Sequence, residues 1–173
     1  MPQVTLAASC GTPAHRSFWY EGLARRAGGS SVQDYLVSQA NRRGFRGAFG
    51  PAPIDGPIDE GLGVEEIVVG LCAPQAPLEG RVFKLILRIL QSGEAQPVRL
   101  QWFARRERAD HVLFWLLQRV PEPEKNDAVR EIQGRFASPP RGYRPPRYNY
   151  DPARLLRRPA LGAKAWSTRR RSS

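Results

Sequence analysis

The chain has 173 residues with 27 basic and 16 acidic side chains, enough for one domain plus extensions at a formal charge of +11. Two cysteines, Cys10 and Cys72, are too few for a disulfide framework, and no apolar run approaches the ~20 residues that a membrane-spanning helix needs. Arginine outnumbers lysine 24 to 3, a bias that fits a GC-rich, bacterial genome as readily as a function.

The placement of the charge is more informative than its sum. Residues 1–50 carry six basic and two acidic side chains, residues 51–136 eleven and thirteen, and residues 137–173 ten and one. A near-neutral middle therefore precedes a cationic tail. That asymmetry points to a polyanionic or acidic partner for the tail and is silent about the fold.

In chain order, residues 1–16 are expected to be irregular, because Gly11, Thr12 and Pro13 break any regular element. Leu6 to Cys10 has the outline of a bacterial lipoprotein cleavage box. Residues 1–9 lack the charged start and long apolar run of a signal peptide, so a cytoplasmic protein is the default expectation. A helical arm is expected over 17–43. Its first helix starts at a Ser17 cap and stops at Gly28-Gly29; its second starts at Ser31, with Asp34 three residues on, and reaches Gly44. Residues 44–63 hold seven glycines and prolines by Pro57 and two more glycines after it, which leaves a Gly/Pro-rich loop, a lid, a linker or a binding loop.

The helical core domain is expected over 64–136. Val64, Ile67, Val68 and Leu71 follow the i, i+3, i+4, i+7 stripe of a helix with one buried face, and Cys72 at its end reads as a buried free thiol. A helix over about 78–91 is apolar nearly all round, and Arg81, Lys84 and Arg88 share its remaining stripe. Pro97 opens the next helix to about Arg106, another spans Ala109–Val120 before Pro121, and the last runs from Glu124 to Phe136. The stretch 78–120, with Val82–Leu90 and Val112–Leu117, is expected to form the centre of the core. No run alternates with period two and no fixed-period repeat links 64–92 to 97–136. The fold expected is all-α: a small irregular helical bundle with a long Gly/Pro-rich loop and an extended basic C-terminal tail.

Signatures of catalysis are missing. His15 and His111 stand alone, no Ser/His/Asp set suggests itself, and neither phosphate-binding glycine motif occurs. The acid pairs Asp59-Glu60, Glu65-Glu66 and Glu122-x-Glu124 lie at helix starts, where the helix dipole already favours them. No cofactor or metal is implied. Two helices over 97–120 resemble a helix-turn-helix in spacing only, since the second carries Phe114-Trp115-Leu116-Leu117, which wants burial; Arg99, Arg105, Arg106 and Arg108 remain candidate phosphate contacts.

Two segments interleave arginine with aromatic rings, the pattern that stacks bases while neutralising phosphates. The first is Arg42-Arg43-Gly44-Phe45-Arg46-Gly47-Ala48-Phe49-Gly50, for which a flexible turn with Phe45 and Phe49 tucked onto the core is the slightly preferred reading. The second is the tail over 137–173, with Arg141, Tyr143, Arg144, Arg147, Tyr148 and Tyr150 among prolines, then Arg154, Arg157, Arg158, Trp166, Arg169, Arg170 and Arg171. Prolines keep such a backbone extended, so arginines can track a phosphate chain while tyrosines stack. The tail has too little apolar surface to fold alone.

The expectation is a non-enzymatic nucleic-acid-binding protein, for DNA or RNA, whose arginine-rich tail contacts phosphates with little sequence specificity. The alternative is a protein-interaction, accessory or inhibitory subunit, such as an antitoxin-like regulator, whose tail wraps an acidic protein partner.

Overall fold

The computed structural model of the protein describes residues 18–45, 57–74, 76 and 80–138; Cys10, most of the Gly/Pro-rich loop and the tail from residue 139 lie outside them. Over the described residues the chain forms seven α-helices and no strand. They are α1 (Phe18–Arg26), α2 (Val32–Arg42), α3 (Val64–Cys72), α4 (Gly80–Ser92), α5 (Pro97–Arg106), α6 (Asp110–Gln118) and α7 (Asp127–Arg135), with a 3-10 turn at Glu122–Glu124. The all-α bundle expected from periodicity is the fold that forms.

Local chemistry sets the helix starts. Ser31 Oγ accepts the Asp34 amide at 3.0 Å, as the cap signal predicts. Glu66 reaches back to accept the Gly63 amide at 2.7 Å and so closes the start of α3. Pro97 occupies the first turn of α5, where its missing N–H costs nothing. The final helix begins at Asp127, three residues later than expected at Glu124. Glu122–Glu124 turns as a 3-10 segment instead, and Asn126 becomes the cap by accepting the Val129 amide at 3.1 Å.

Two helices end in the same corner. After α2, the Phe45 amide bonds to the Ala40 carbonyl and the Gly44 amide to the Asn41 carbonyl; after α5, Ala109 bonds to Ala104 and Arg108 to Arg105 in the same pattern. This is the Schellman closure, which needs a left-handed residue at its turn. Gly44 meets that need at φ 91°, whereas in the second corner Arg108 takes φ 57°. An arginine there costs about 1 kcal/mol relative to glycine.

The centre of the bundle is α3. It touches α2, α4, α5 and α6, and Glu65, Ile67, Val68, Val69, Gly70, Leu71 and Cys72 are all buried on it. The sequence pointed to 78–120 as the middle and to a single buried stripe on α3; this helix is short and enclosed on nearly every side. The long apolar helices α4 and α6 are buried as expected, with Val82, Phe83, Leu85, Ile86, Leu87, Ile89, Leu90 and Val112–Phe114, Leu116, Leu117 in the core. Burial pushes the Cys72 thiol up to about 12, so the inert free thiol expected is what the structure holds.

Residues 18–42, within the helical arm expected over 17–43, pack into this core. Leu23, Val32, Leu36, Val37 and Ala40 belong to the same apolar cluster as α3 to α7. Contact is close because α3 carries glycine at position 70. A Cβ there would stand 2.6 Å from Leu36 Cδ1 and 3.4 Å from both Leu23 Cδ1 and the Trp19 ring.

Buried Glu65 ties the start of α3 to the start of α5. Its carboxylate accepts the Gln96 amide at 2.9 Å and lies 3.7 Å from Arg99 Nε. A negative group at two helix N-termini is well placed against both dipoles.

Candidate functional site

Of the arginines in the two arginine–aromatic segments, Arg42 and Arg43 are described, and both hold the chain together. Arg42 Nη1 donates to the Pro57 carbonyl at 2.8 Å. Arg43 Nη2 donates to the carbonyls of Asp59 and Leu62, each at 2.6 Å, and its Nη1 donates to the Gln39 carbonyl and side chain at 3.2 Å. The planar fork of arginine suits this spread of acceptors, which a single ammonium cannot span. The Asp59 amide in turn donates to Gln39 Oε1 at 2.8 Å. Phe45 is buried, so of the two readings of the Arg42–Arg46 segment the described residues form the turn with its ring on the core. Arg46 and Phe49 lie outside the described residues. The end of the loop, from Pro57 to Leu62, is therefore stapled to α2.

Asp59 is the hub of that staple. Tyr35 donates its hydroxyl to Oδ2, Arg26 Nη1 donates to the same oxygen at 3.2 Å, and the Gly61 amide donates to Oδ1 at 3.0 Å. The Tyr35 hydrogen bond, with help from Arg26, holds the Asp59 carboxyl below the usual carboxylate range. Desolvation, then the bond to Asp59, pushes the Tyr35 phenol up to about 12. An open cleft of about 820 Å³ lies beside the staple, lined by Arg26, Ser30, Asp34, Tyr35, Ser38 and Arg42 among others. Its one carboxylate–phenol pair is locked in internal bonds, which serves positioning rather than proton transfer.

The signs of these shifts give a pH prediction. Asp59, with its pKa lowered, contributes stability that is present above the ordinary carboxylate range and is lost as pH falls through its depressed value. Tyr35, with its pKa raised, contributes stability that is full below the ordinary phenol value of about 10 and is lost as pH rises through about 12. Urea unfolding of the protein and of Tyr35→Phe at about pH 3, 7 and 11 should show the widest gap at neutrality and a narrower one at both ends. A gap that stays constant across all three would remove the staple's assigned chemistry.

A second surface lies on α5. Its inner positions Leu100, Phe103 and Ala104 are buried, which leaves Val98, Trp102 and Arg105 along the outer stripe at i, i+4, i+7. Ile58, Val98 and Trp102 are the large apolar residues exposed among the described ones, and two of the three stand one turn apart here, at 63% and 55% exposure. Arg106 lies 4.8 Å from the Trp102 ring centre, 4.7 Å from Phe103 and 6.0 Å from Trp19, and it also pairs with buried Glu107 at 2.6 Å. Arg99 is half-exposed beside Glu65. Arg105 and Arg108 are exposed and pair with no acidic residue among the described ones. The sequence had raised all four arginines as candidate contacts but had not singled out Trp102; the exposure of an aromatic ring in a helix is decided by its neighbours in space.

The opposite edge of α5 meets the root of the tail. Gln101 Nε2 donates to the Arg135 carbonyl at the end of α7, and Phe136 is buried beyond it. Following helix α6 is enclosed, and Trp115 is covered by the Arg119 guanidinium at 3.5 Å, so α6 is not a recognition helix. His111 sits part-exposed 3.5 Å from Asp110. Arg141, Tyr143, Arg144, Arg147, Tyr148, Tyr150, Arg154, Arg157, Arg158, Trp166, Arg169, Arg170 and Arg171 lie outside the described residues. Among the described residues no three His, Cys, Asp or Glu side chains gather as metal ligands, and no helix is long and apolar enough to cross a membrane.

The fold and this surface define an all-α bundle with an exposed arginine–tryptophan helix face. Comparison with family models, with curated proteins and with solved structures gives no match to the chain.

Proposed function

We propose that the protein is a non-enzymatic nucleic-acid-binding protein whose arginine-rich C-terminal segment supplies phosphate affinity with little sequence specificity. The observation that carries this reading is the segregation of charge: ten basic and one acidic residue over 137–173, beyond a bundle that is close to neutral. Within the bundle many cations are already engaged. Arg26, Arg43, Arg99, Arg106, Lys125, Arg130 and Arg135 bond to carboxylates or carbonyls of their own chain. The tail is thus the main store of cationic charge for an external polyanion.

Fluorescence anisotropy with labelled oligonucleotides tests it. Each phosphate contact contributes about 0.7 to the salt slope for a single strand and about 0.9 for a duplex. Engagement of most tail cations predicts a slope of about −5 or steeper, roughly a thousandfold loss of affinity between about 50 and 200 mM salt. Replacing the tail arginines by glutamine should flatten that slope. Absence of binding to any nucleic acid at low salt, with stable co-purification of an acidic protein, would replace this reading by that of an interaction subunit.

A further inference from the structure

We infer that the outer face of α5 is a stacking platform for single-stranded nucleic acid, with Trp102 as the ring on which a base lies and Arg105 and Arg108 as its phosphate contacts. The inference rests on the nucleic-acid reading above and adds to it a site on the folded domain and a choice of strandedness.

Three observations converge on this face. Trp102 keeps more than half its surface exposed although it sits in the middle of a well-packed helix. A side chain of that size is ordinarily buried or covered, and here it stands with Val98 in a small apolar patch. Arg106 lies over one face of the Trp102 ring at 4.8 Å, which fixes the indole and leaves stacking to the ring's other face. The uncompensated charge comes from Arg105 on this stripe and from Arg108 just past the helix end, since Arg99 and Arg106 are offset by Glu65 and Glu107. Trp102 and Arg105, three residues apart on one exposed stripe, put a ring and a cation with no acidic partner among the described residues on the same face, which matches the alternating apolar and anionic character of an unpaired strand.

The Arg108 backbone supports the same assignment. Its left-handed φ of 57° is carried at a corner that glycine would close with less strain. The result is a guanidinium at the C-terminal end of α5, one turn beyond Arg105. Continuity with the tail is the third observation. The Gln101–Arg135 hydrogen bond fixes the root of the cationic segment against α5. Gln101 is the residue before Trp102, so the end of α7, from which the tail continues, is held against the same helix as the ring.

A duplex fits this face poorly. Its bases are stacked on one another, and α5 offers a ring and an apolar residue where a groove-reading helix offers polar side chains to base edges. A single strand presents unstacked bases that a ring can hold without reading sequence.

The test measures binding of the full chain to a labelled oligo(dT) of about 20 nucleotides and to the same length as duplex, for the protein and for Trp102→Ala, Trp102→Phe and Arg105→Gln. Stacking on one base is worth enough to predict a weakening of about tenfold for Trp102→Ala on oligo(dT), with the salt slope and the duplex affinity unchanged. Trp102→Phe should recover most of the loss, which also shows that the fold is intact. Arg105→Gln should lower the single-strand slope by about 0.7. If the protein binds oligo(dT) with a steep slope but Trp102→Ala binds as tightly as it does, the platform is overturned and the tail reading stands. Equal weakening on single strand and duplex also overturns it. Binding to neither removes both.

Discussion

Gly70→Leu should lower the unfolding free energy by about 2–3 kcal/mol. The Cβ alone would lie 2.6 Å from Leu36 Cδ1, and Leu36 and Leu23 are fully buried with nowhere to turn. Leucine would regain ~1 kcal/mol of helix propensity over glycine, which the overpacking exceeds. Relief is available only by moving α1 and α2 away from α3, so the urea midpoint should fall and Trp19 fluorescence should shift early. An unchanged midpoint would mean that the α2–α3 contact can give freely, and the close approach would lose its meaning.

Arg43→Ala is the second large effect. It removes donors to the Gln39, Asp59 and Leu62 carbonyls and leaves part-buried acceptors unsatisfied, at a cost of about 2–3 kcal/mol. Lysine should restore only part of that, because one ammonium can donate to the Asp59 and Leu62 carbonyls but cannot also reach the Gln39 acceptors held by the second arginine nitrogen. Hydrogen exchange at the Gly61 and Leu62 amides, with limited proteolysis of 57–62, reports the release directly. A stable variant that instead loses affinity for nucleic acid would return Arg43 to the phosphate-binding role that its sequence context indicated.

Those two residues also mark where sequence reasoning ends. Helix existence was legible, because Ser31, Pro97 and Pro121 act within a turn of themselves and the Val64–Leu71 stripe is a local pattern. Gly70 was not: its reason is Leu36 of another helix, and within α3 alone it is only a weak helix former. Arg43 has the same difficulty. Beside Gly44 and Phe45 it resembles a nucleic-acid motif, yet its main acceptors lie 16 and 19 residues further on. α7 starts three residues beyond Glu124 because Asn126 caps it, its side chain accepting the Val129 amide.

Of the candidate site, the arginines of α5 and the cationic segment were readable from composition and spacing. Trp102 was not, because exposure belongs to the fold. Phe103 beside it is buried and Phe114 likewise, and nothing in their immediate sequence separates these rings from Trp102. The left-handed backbone of Arg108 was not legible for a related reason: the corner it closes is one where glycine is the expected residue.

The bond between Gln101 and Arg135 has a consequence for how weak contacts combine. Arg141 follows Arg135 by six residues, so covalent reach keeps it within about 20 Å of that anchor. Any ligand caught at one position is then offered to the other at an effective concentration on the order of millimolar. Contacts individually too feeble to measure multiply under such tethering, and one amide-to-carbonyl link on α5 sets the distance over which they do so.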